Sequence, residues 1–305
     1  MSITIKNDLL TVQFRSPDAQ PRSERFCCTG MIDQVTLRKR HTFCAPEQLD
    51  SFAETCHGGG LCGEFVFDGI ARETPPGELF PKPGVGLLYQ RPEGGDFDMW
   101  KHYEGVPCQA SYEIHGASIV FRQTMPTCRF LKLEIQQEYR LWQNTLTQTT
   151  TLINRGETAI AAQEYQHNFL RLDGLNIDQH YHLELPFIKE FPNIERAAYR
   201  KGDRTHSHII PNVLSQERHV LGFHMPLDEH EFYLRVDEKD MVRSGFSWKL
   251  TSGQTSAWIS EQCTFPPSRF DLWGLKHCIC PEVYIRFEIE PDRSTCWARC
   301  WTFGG

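Results

Sequence analysis

The sequence predicts an all-β fold, a large antiparallel β-sandwich, and three observations support this prediction. Apolar and polar residues alternate over many short segments, which is typical of strands with one buried face. Turn residues separate the segments at short intervals, and none of the segments has the apolar spacing of an amphipathic helix. Because sandwiches of this size can remain undivided, we expect the 305 residues to form a single domain, 1–305.

The predicted strands run from one end of the chain to the other. Residues 3–5 and 10–14 alternate around a polar turn at 6–8, so we expect an opening hairpin. The clearest strand, 283–289, places Val, Ile, Phe and Ile on one face and Tyr, Arg and Glu on the other. Further strands are predicted at 31–37, 112–121, 130–139, 142–153, 180–188, 220–225, 232–236, 246–250, 257–265 and 296–303, with a loop at 192–212.

Glycine and proline crowd into residues 57–86. Helices do not survive that density of helix-breaking residues, yet apolar residues such as Phe65, Phe67 and Leu79 persist there. A long loop with apolar anchors is typical of a functional loop rather than a linker. The glycines lack the strand–GxGxxG–helix context, which argues against a nucleotide-binding site.

Charge and hydropathy exclude several partners. The net charge is −7, and this mildly acidic balance argues against nucleic acid, whose phosphates require a basic face. We find no apolar run near the roughly 20 residues of a membrane span. The N-terminus lacks a basic start followed by an apolar stretch, so we expect a cytoplasmic protein with no membrane partner.

The twelve cysteines give no metal-binding spacing. Paired Cys-x-x-Cys blocks would indicate a structural zinc site, and they are absent from the sequence. We therefore expect reduced, mostly buried thiols, with no zinc and no cofactor. The close cysteine pairs are Cys27 with Cys28, Cys56 with Cys62, Cys278 with Cys280, and Cys296 with Cys300.

A histidine-containing stretch, 164–174, is the strongest functional signal. It follows an alternating segment and a turn at 154–157, and it places His167 beside an amide and between aromatic residues. A histidine can transfer protons near neutral pH because its free pKa lies close by. From the residues alone, a histidine among aromatic residues is more often a hydrogen-bonded core residue than a catalytic group.

The region 145–174 resembles the middle of the galactose mutarotase (aldose 1-epimerase) superfamily. That family has two strands, then an asparagine–histidine–aromatic–phenylalanine–asparagine–leucine motif before a glycine; this chain has Gln-His-Asn-Phe-Leu at 166–170, then Gly174. The C-terminal region is similar as well, with Cys-Pro-Glu at 280–282, a proline turn at 291–294, and an aromatic last strand at 297–303. The resemblance covers the second half well and the first half loosely.

The resemblance implies an isomerase that interconverts sugar anomers without a metal or redox cofactor. The anomeric hydroxyl loses a proton while the ring oxygen gains one, and the opened sugar recloses as the other anomer. Glu282 would be the base and His167 the acid, and we expect both to meet the glycine-rich segment in one cleft. The alternative is a carbohydrate-binding protein that keeps the fold without turnover, since one fold hosts several functions.

The resemblance also indicates sugar-binding residues, although with departures from the family pattern. For the family's earlier histidine the chain offers His102 and His57, and we favour His102 because it follows a tryptophan. The family's early asparagine–arginine pair is not evident, so Glu64, Arg72 and Lys82 are the available polar groups. Trp273 could stack on a sugar face. A phosphorylated sugar would require clustered Arg or Lys, which the sequence does not reveal.

Overall fold

The computed structural model describes residues 2–19, 23–49, 58–67, 69–128, 131–189, 197–201, 204–205, 214–242 and 246–305. Over these residues the chain forms antiparallel strands and two short 3₁₀ helices, Leu172–Gly174 and Glu238–Asp240. The first twelve strands are β1 Ser2–Lys6, β2 Leu10–Arg15, β3 Ile32–Leu37, β4 His41–Thr42, β5 Leu61–Val66, β6 Leu79–Lys82, β7 Gly86–Tyr89, β8 Gly105–Pro107, β9 Gln109–His115, β10 Ser118–Thr124, β11 Leu133–Trp142 and β12 Thr145–Asn154. The other twelve are β13 Ile160–Asn168, β14 Tyr181–Glu184, β15 Ala197–Lys201, β16 Arg204–Thr205, β17 Leu214–Glu217, β18 Val220–Phe223, β19 Glu231–Asp237, β20 Ser247–Ser252, β21 Trp258–Cys263, β22 Arg269–Leu275, β23 Cys278–Ile289 and β24 Ser294–Gly304.

Within the described residues, the strands form two large sheets and one small one. The first sheet has eleven strands in the order β1-β2-β3-β5-β13-β23-β22-β19-β15-β16, with β4 paired to β3. The second has ten strands in the order β17-β18-β14-β20-β21-β24-β12-β11-β10-β9, and β6, β7 and β8 make the third. The middle of the first sheet, β5-β13-β23-β22-β19, carries the candidate site.

The two large sheets pack face to face around an apolar core. Phe14 on β2 of the first sheet contacts Phe121 on β10 and Tyr139 on β11 of the second, with ring centroids 5.4 and 5.0 Å apart. Elsewhere Phe303 on β24 packs on Phe43, whose centroid is 4.9 Å away. The predicted antiparallel sandwich is confirmed; the single domain 1–305 stays a prediction.

Alternating burial explains why so many strands were predictable. In β11 and β12 every second residue is buried and the residues between them are more exposed, because one face of each strand packs on the core. The opening hairpin is also confirmed, with Ile3 opposite Phe14 and Ile5 opposite Val12. The predicted strand 283–289 forms the second part of β23.

Several regions depart from the prediction. Residues 57–86 contain β5, β6 and the start of β7 rather than one long loop. The predicted strand 112–121 is a hairpin, since Gly116 at a positive φ of 61° turns β9 into β10. Strand β22 was not predicted, because both of its faces are largely buried and its sequence therefore does not alternate.

The predicted loop at 192–212 lies largely outside the described residues, which place β15 and β16 within it. Among the described residues, no helix combines the length and the apolar character that crossing a membrane requires.

Candidate active site

Neighbouring strands at the middle of the first sheet bring together residues that are distant in sequence. His167 on β13 pairs directly with Glu282 on β23, and Glu282 in turn pairs with Asp271 on β22. On the other side, Glu64 on β5 pairs with Tyr165 on β13. Directly paired residues of antiparallel strands point to the same face. This face, which points away from the core between the two large sheets, therefore collects ionisable side chains from four strands.

His167 is held between two carboxylates. Its Nδ1 lies 2.8 Å from Glu282 Oε1, and its Nε2 lies 3.2 Å from Glu64 Oε2. The imidazole is also enclosed by aromatic rings: Phe169 stacks parallel to it at 5.3 Å, and Phe26 meets it edge-on at 5.0 Å. Only 1% of the His167 side chain is exposed, so its polar partners are protein groups rather than bulk water.

The electrostatics of this pair favour opposite charges. Burial by itself would lower the pKa of His167, but the Glu282 and Glu64 carboxylates outweigh burial and raise that pKa above its ordinary value. Burial would likewise raise the pKa of Glu282, whereas the neighbouring imidazolium lowers it overall. Both shifts favour the imidazolium–carboxylate form of the pair, in which a protonated acid lies beside an ionised base.

Glu64 anchors the far side of His167. Although burial opposes its ionisation, Lys82 and Arg25 hold the pKa of Glu64 well below its ordinary value. Lys82 Nζ lies 3.0 Å and Arg25 Nε 2.7 Å from the carboxylate, and the Tyr165 hydroxyl donates to it over 2.5 Å. With these contacts made, Glu64 is a fixed acceptor for the Nε2–H of His167.

A cleft of about 230 Å³ opens over the His167–Glu282 pair. Both side chains line it, and Trp273 and the exposed Trp100 supply aromatic surface. Concave sites of this kind bind small molecules through apolar walls and a few placed polar groups. The remaining lining residues are Arg25, Glu47, Met99, Tyr165, Phe169, Glu231, Tyr233, Arg235, Arg269, Asp271 and Tyr284.

Asp271 is a second buried carboxylate in the cleft wall. Burial raises its pKa in spite of Arg269, whose Nη2 lies 2.9 Å from it. The Tyr233 hydroxyl donates to Asp271 over 2.6 Å, and Arg235 Nε lies 3.3 Å away. Sequence reasoning missed this residue, although an aspartate inside the apolar run of residues 270–275 could have signalled it.

The structure brings three of the predicted site residues into one cleft: His167, Glu282 and Trp273. Glu64 lies beneath His167 and lines a neighbouring cavity of about 440 Å³ instead, together with Lys82 and other residues of the glycine-rich segment. Met99 and Tyr165 line both cavities. None of the described residues of this segment lines the cleft, so the expectation that the segment and the pair meet in one cleft is wrong; the segment lines the neighbouring cavity.

The other predicted binding residues lie farther from the pair. Arg72 lines the neighbouring cavity, where its exposed guanidinium forms an ion pair with Asp96. His102 is exposed, its Nδ1 lies 2.6 Å from Glu24 Oε1, and it lines neither cavity. His57, the alternative to His102, falls outside the described residues. The binding roles of these residues stay predictions.

Sequence reasoning also missed Arg25 and Glu47. Arg25 Nη1 lies 2.9 Å from Glu47 Oε1, and both side chains line the cleft although they are almost fully buried. Burial raises the pKa of Glu47 in spite of Arg25. Their positions in polar loop segments gave no signal, because only the tertiary fold places them beside His167.

One set of donor atoms in the site could hold a metal ion. Ligand atoms of His167, Cys280 and Glu282 all lie within 4.8 Å of one another, and all three residues are buried. Imidazole, thiolate and carboxylate are each ordinary zinc ligands.

Comparison of the chain with known proteins identifies its fold through structure alone. No protein-family profile matches the sequence, and no curated protein matches it significantly. In contrast, solved structures superpose over the whole chain. A galactose mutarotase-like protein from Lactobacillus casei has a TM-score of 0.60 at 11% identity, covering 99% of this chain and 100% of its own.

Two further structures give the same result. A galactose mutarotase related enzyme from Lactobacillus acidophilus has a TM-score of 0.56 at 12% identity, covering 100% of this chain and 98% of its own. The Slr1438 protein of Synechocystis has a TM-score of 0.58 at 12% identity, covering 100% of this chain and 96% of its own. At such low identity the likeness concerns the fold. On this structural ground, the chain has the fold of the galactose mutarotase-like superfamily.

Proposed function

We propose that the protein interconverts the anomers of an aldose, as an aldose 1-epimerase-like mutarotase. The observation that carries this proposal is the contact of 2.8 Å between His167 Nδ1 and Glu282 Oε1 in the wall of a small cleft. The two oxygens that exchange protons in mutarotation are attached to one sugar carbon. An acid atom and a base atom that lie side by side match that spacing.

The reaction requires only the two side chains. A bound sugar takes the place of the His167–Glu282 hydrogen bond, with its anomeric hydroxyl on Glu282 and its ring oxygen on His167 Nδ1. Glu282 accepts the hydroxyl proton while His167 donates its proton to the ring oxygen, and the ring opens to the aldehyde. After rotation about the bond between the first two carbons, the ring recloses and both protons return, which regenerates the imidazolium and the carboxylate.

The cleft fits a neutral sugar better than a phosphorylated one. Three arginines line it, but Arg25 is paired with Glu47 and Glu64, while Arg235 and Arg269 share Asp271. A phosphate would have to compete with these carboxylates for each guanidinium. The partly buried ring of Trp273 offers an apolar platform for one face of a sugar ring, as aromatic residues do when they pack on CH groups.

A second function, sugar binding without turnover, is favoured by one specific observation. Both ring nitrogens of His167 already face carboxylates, at 2.8 and 3.2 Å. If a sugar does not displace Glu282, the imidazolium has no proton to offer, and the pair serves only to shape the cleft.

Exchange-spectroscopy NMR on equilibrated anomers distinguishes the two functions. The protein would be added to a panel of neutral aldoses and one aldose phosphate, and exchange rates and binding would be measured on the same samples. We expect faster exchange for at least one neutral aldose. If a sugar binds but no member of the panel exchanges faster, the epimerase function is refuted and sugar binding without turnover is supported.

A further inference from the structure

Three donor atoms that differ in chemistry meet at the base of the cleft. Cys280 Sγ lies 3.5 Å from Glu282 Oε1 and 3.9 Å from His167 Nδ1, and the latter two atoms are 2.8 Å apart. The strand register creates this triangle, because Cys280 and Glu282 are alternate residues on β23 and His167 is the cross-strand partner of Glu282. The acid–base reaction proposed above makes no use of the thiol.

The triangle matches the coordination sphere of a small divalent ion. With metal–ligand bonds of about 2.0–2.3 Å, two ligands of a tetrahedral zinc ion lie about 3.3–3.8 Å apart. The two separations that involve Cys280 lie within about 0.1 Å of that range. The separation of 2.8 Å between His167 and Glu282 is that of a hydrogen bond, and it widens when a metal ion replaces the shared proton.

The surroundings of His167 suit a metal ligand as well. Glu64 accepts a hydrogen bond at Nε2, which keeps a proton on that nitrogen and leaves the lone pair of Nδ1 for an ion. A carboxylate behind a ligating histidine is the usual outer-shell arrangement of zinc sites. Glu64 is itself fixed by Lys82 and Arg25, at 3.0 and 2.7 Å.

We propose that His167 Nδ1, Cys280 Sγ and Glu282 bind one Zn²⁺ ion at the base of the cleft. The set of nitrogen, sulfur and oxygen donors favours zinc over the hard cations Mg²⁺ and Ca²⁺. His167 and Glu282 line the cleft, so the fourth coordination position faces the cavity and can accept water or a ligand. Binding releases two protons, one from the Cys280 thiol and one from His167 Nδ1.

Occupancy by zinc has a functional consequence that rests on the proposed epimerase function. The ion holds the lone pair of the proposed acid and the carboxylate of the proposed base, so the loaded protein cannot exchange protons with a sugar. Zinc is then an inhibitor that acts at the reacting groups themselves.

The cysteine spacing considered above gives no hint of this site. It concerns pairs of cysteines, whereas the fold joins one cysteine to a histidine 113 residues away in sequence. The absence of Cys-x-x-Cys blocks therefore excludes a structural zinc finger and leaves a mixed site open.

Cobalt substitution tests the binding directly. One equivalent of Co²⁺ added to the reduced, metal-free protein should give a thiolate-to-cobalt charge-transfer band, which Zn²⁺ abolishes by displacement. The band should be lost in Cys280→Ser and kept in Cys278→Ser, a matched control that removes a buried thiol two residues away on the same strand. Glu64→Gln should keep the band but weaken cobalt binding by about 10- to 100-fold.

Two outcomes would overturn the metal site: no band in the unmodified protein, or an unchanged band in Cys280→Ser. Cys280→Ala replaces the serine variant if thermal melting reveals that the latter does not fold. The inhibition is measured separately, by comparing anomer exchange with and without saturating Zn²⁺. An undiminished rate would overturn the inhibition alone, while a protein with no exchange activity at all would refute the proposed function and leave the cobalt spectrum to decide the metal site.

Discussion

The two faces of strand β13 carry buried polar groups for different purposes. Toward the cleft it presents Tyr165 and His167, and toward the core between the two large sheets it presents Glu164, Gln166 and Asn168. All five are almost completely buried. The difference lies in their partners, because the cleft side opens to a cavity while the core side is closed by the second sheet.

The core side forms a network centred on Arg299 of β24. Its guanidinium lies 2.7 Å from Glu164 and 3.0 Å from Glu261, so that one cation joins two carboxylates. Asn168 donates to Glu261 over 3.1 Å and accepts a hydrogen bond of 2.9 Å from Trp301 Nε1. Gln166 Oε1 and Arg299 Nε have no hydrogen-bond partner among the described residues, but the contacts above tie β13 to the second sheet through protein groups.

The comparison teaches that burial and charge do not identify a functional site by themselves. Glu164 and Glu282 are both buried carboxylates paired with a cation. Only Glu282 faces a space that a ligand can enter. We therefore expect changes on the cleft side to alter the reaction and changes on the core side to alter stability.

The largest effect is expected for Glu282→Gln, which keeps the size of the side chain but removes the proton acceptor. Anomer exchange should fall by about 10²–10⁴-fold while sugar binding survives. Combining it with His167→Asn should cost less than the product of the single effects, because both groups act in one ring-opening step. Exchange-spectroscopy NMR and calorimetric sugar titration provide the two measurements. An unchanged rate per folded molecule in Glu282→Gln would assign the cleft side a structural role.

Arg299→Met should have the largest effect on the core side. It leaves two buried carboxylates without their cation, which typically destabilises a protein by about 3–5 kcal/mol. Urea unfolding measures the loss, and the exchange rate per folded molecule should stay near that of the unmodified protein. Arg286→Met on β23 is a matched control, because that side chain is exposed and loss of a charge at the protein surface changes stability little. Equal stability of the two variants would refute the structural role of the network.

Trp273→Ala should weaken sugar binding by a smaller factor, about 3- to 10-fold, which corresponds to the usual worth of one aromatic contact. Trp142→Ala is the matched control, because that tryptophan is 73% exposed and lies outside the cleft. Calorimetric titration with the best aldose of the panel compares the two. Identical affinities would remove Trp273 from the binding surface.

The smallest expected effect is a change in the pH dependence of stability when Glu164 is replaced. Burial raises the pKa of Glu164 even though Arg299 opposes it, since Arg299 is shared with Glu261. A raised folded-state pKa contributes stability that is complete below the unfolded-state pKa of about 4.3 and is lost as the pH rises through the folded-state value. Glu164→Gln should therefore flatten the decline in unfolding free energy above about pH 4.3. Urea unfolding at several pH values checks this, and parallel slopes for both proteins would contradict it.

Much of the fold was predictable from the sequence, but only part of the site. Strands with one exposed face are predictable because apolar and polar residues alternate along them. Strand β22 is largely buried on both faces, so its sequence lacks this alternation. The three residues 166–168 are consecutive in sequence, but successive side chains of a strand point to opposite faces. His167 therefore points to the cleft, while its two neighbours point to the core. Arg25, Glu47 and Asp271 reach the cleft only through tertiary contacts, which short-range spacing cannot reveal.

The most direct test of this account compares two adjacent residues on opposite faces of one strand. Exchange rate per folded molecule and free energy of unfolding would be measured for His167→Asn and for Asn168→Ala. We predict that His167→Asn lowers the rate by about 10²–10⁴-fold, because the amide cannot deliver a proton near neutral pH. Asn168→Ala should lower stability by about 1–3 kcal/mol, through lost buried hydrogen bonds, and keep the rate within about threefold. Equal rates for the two variants would contradict the division of β13 into a reacting face and a structural face.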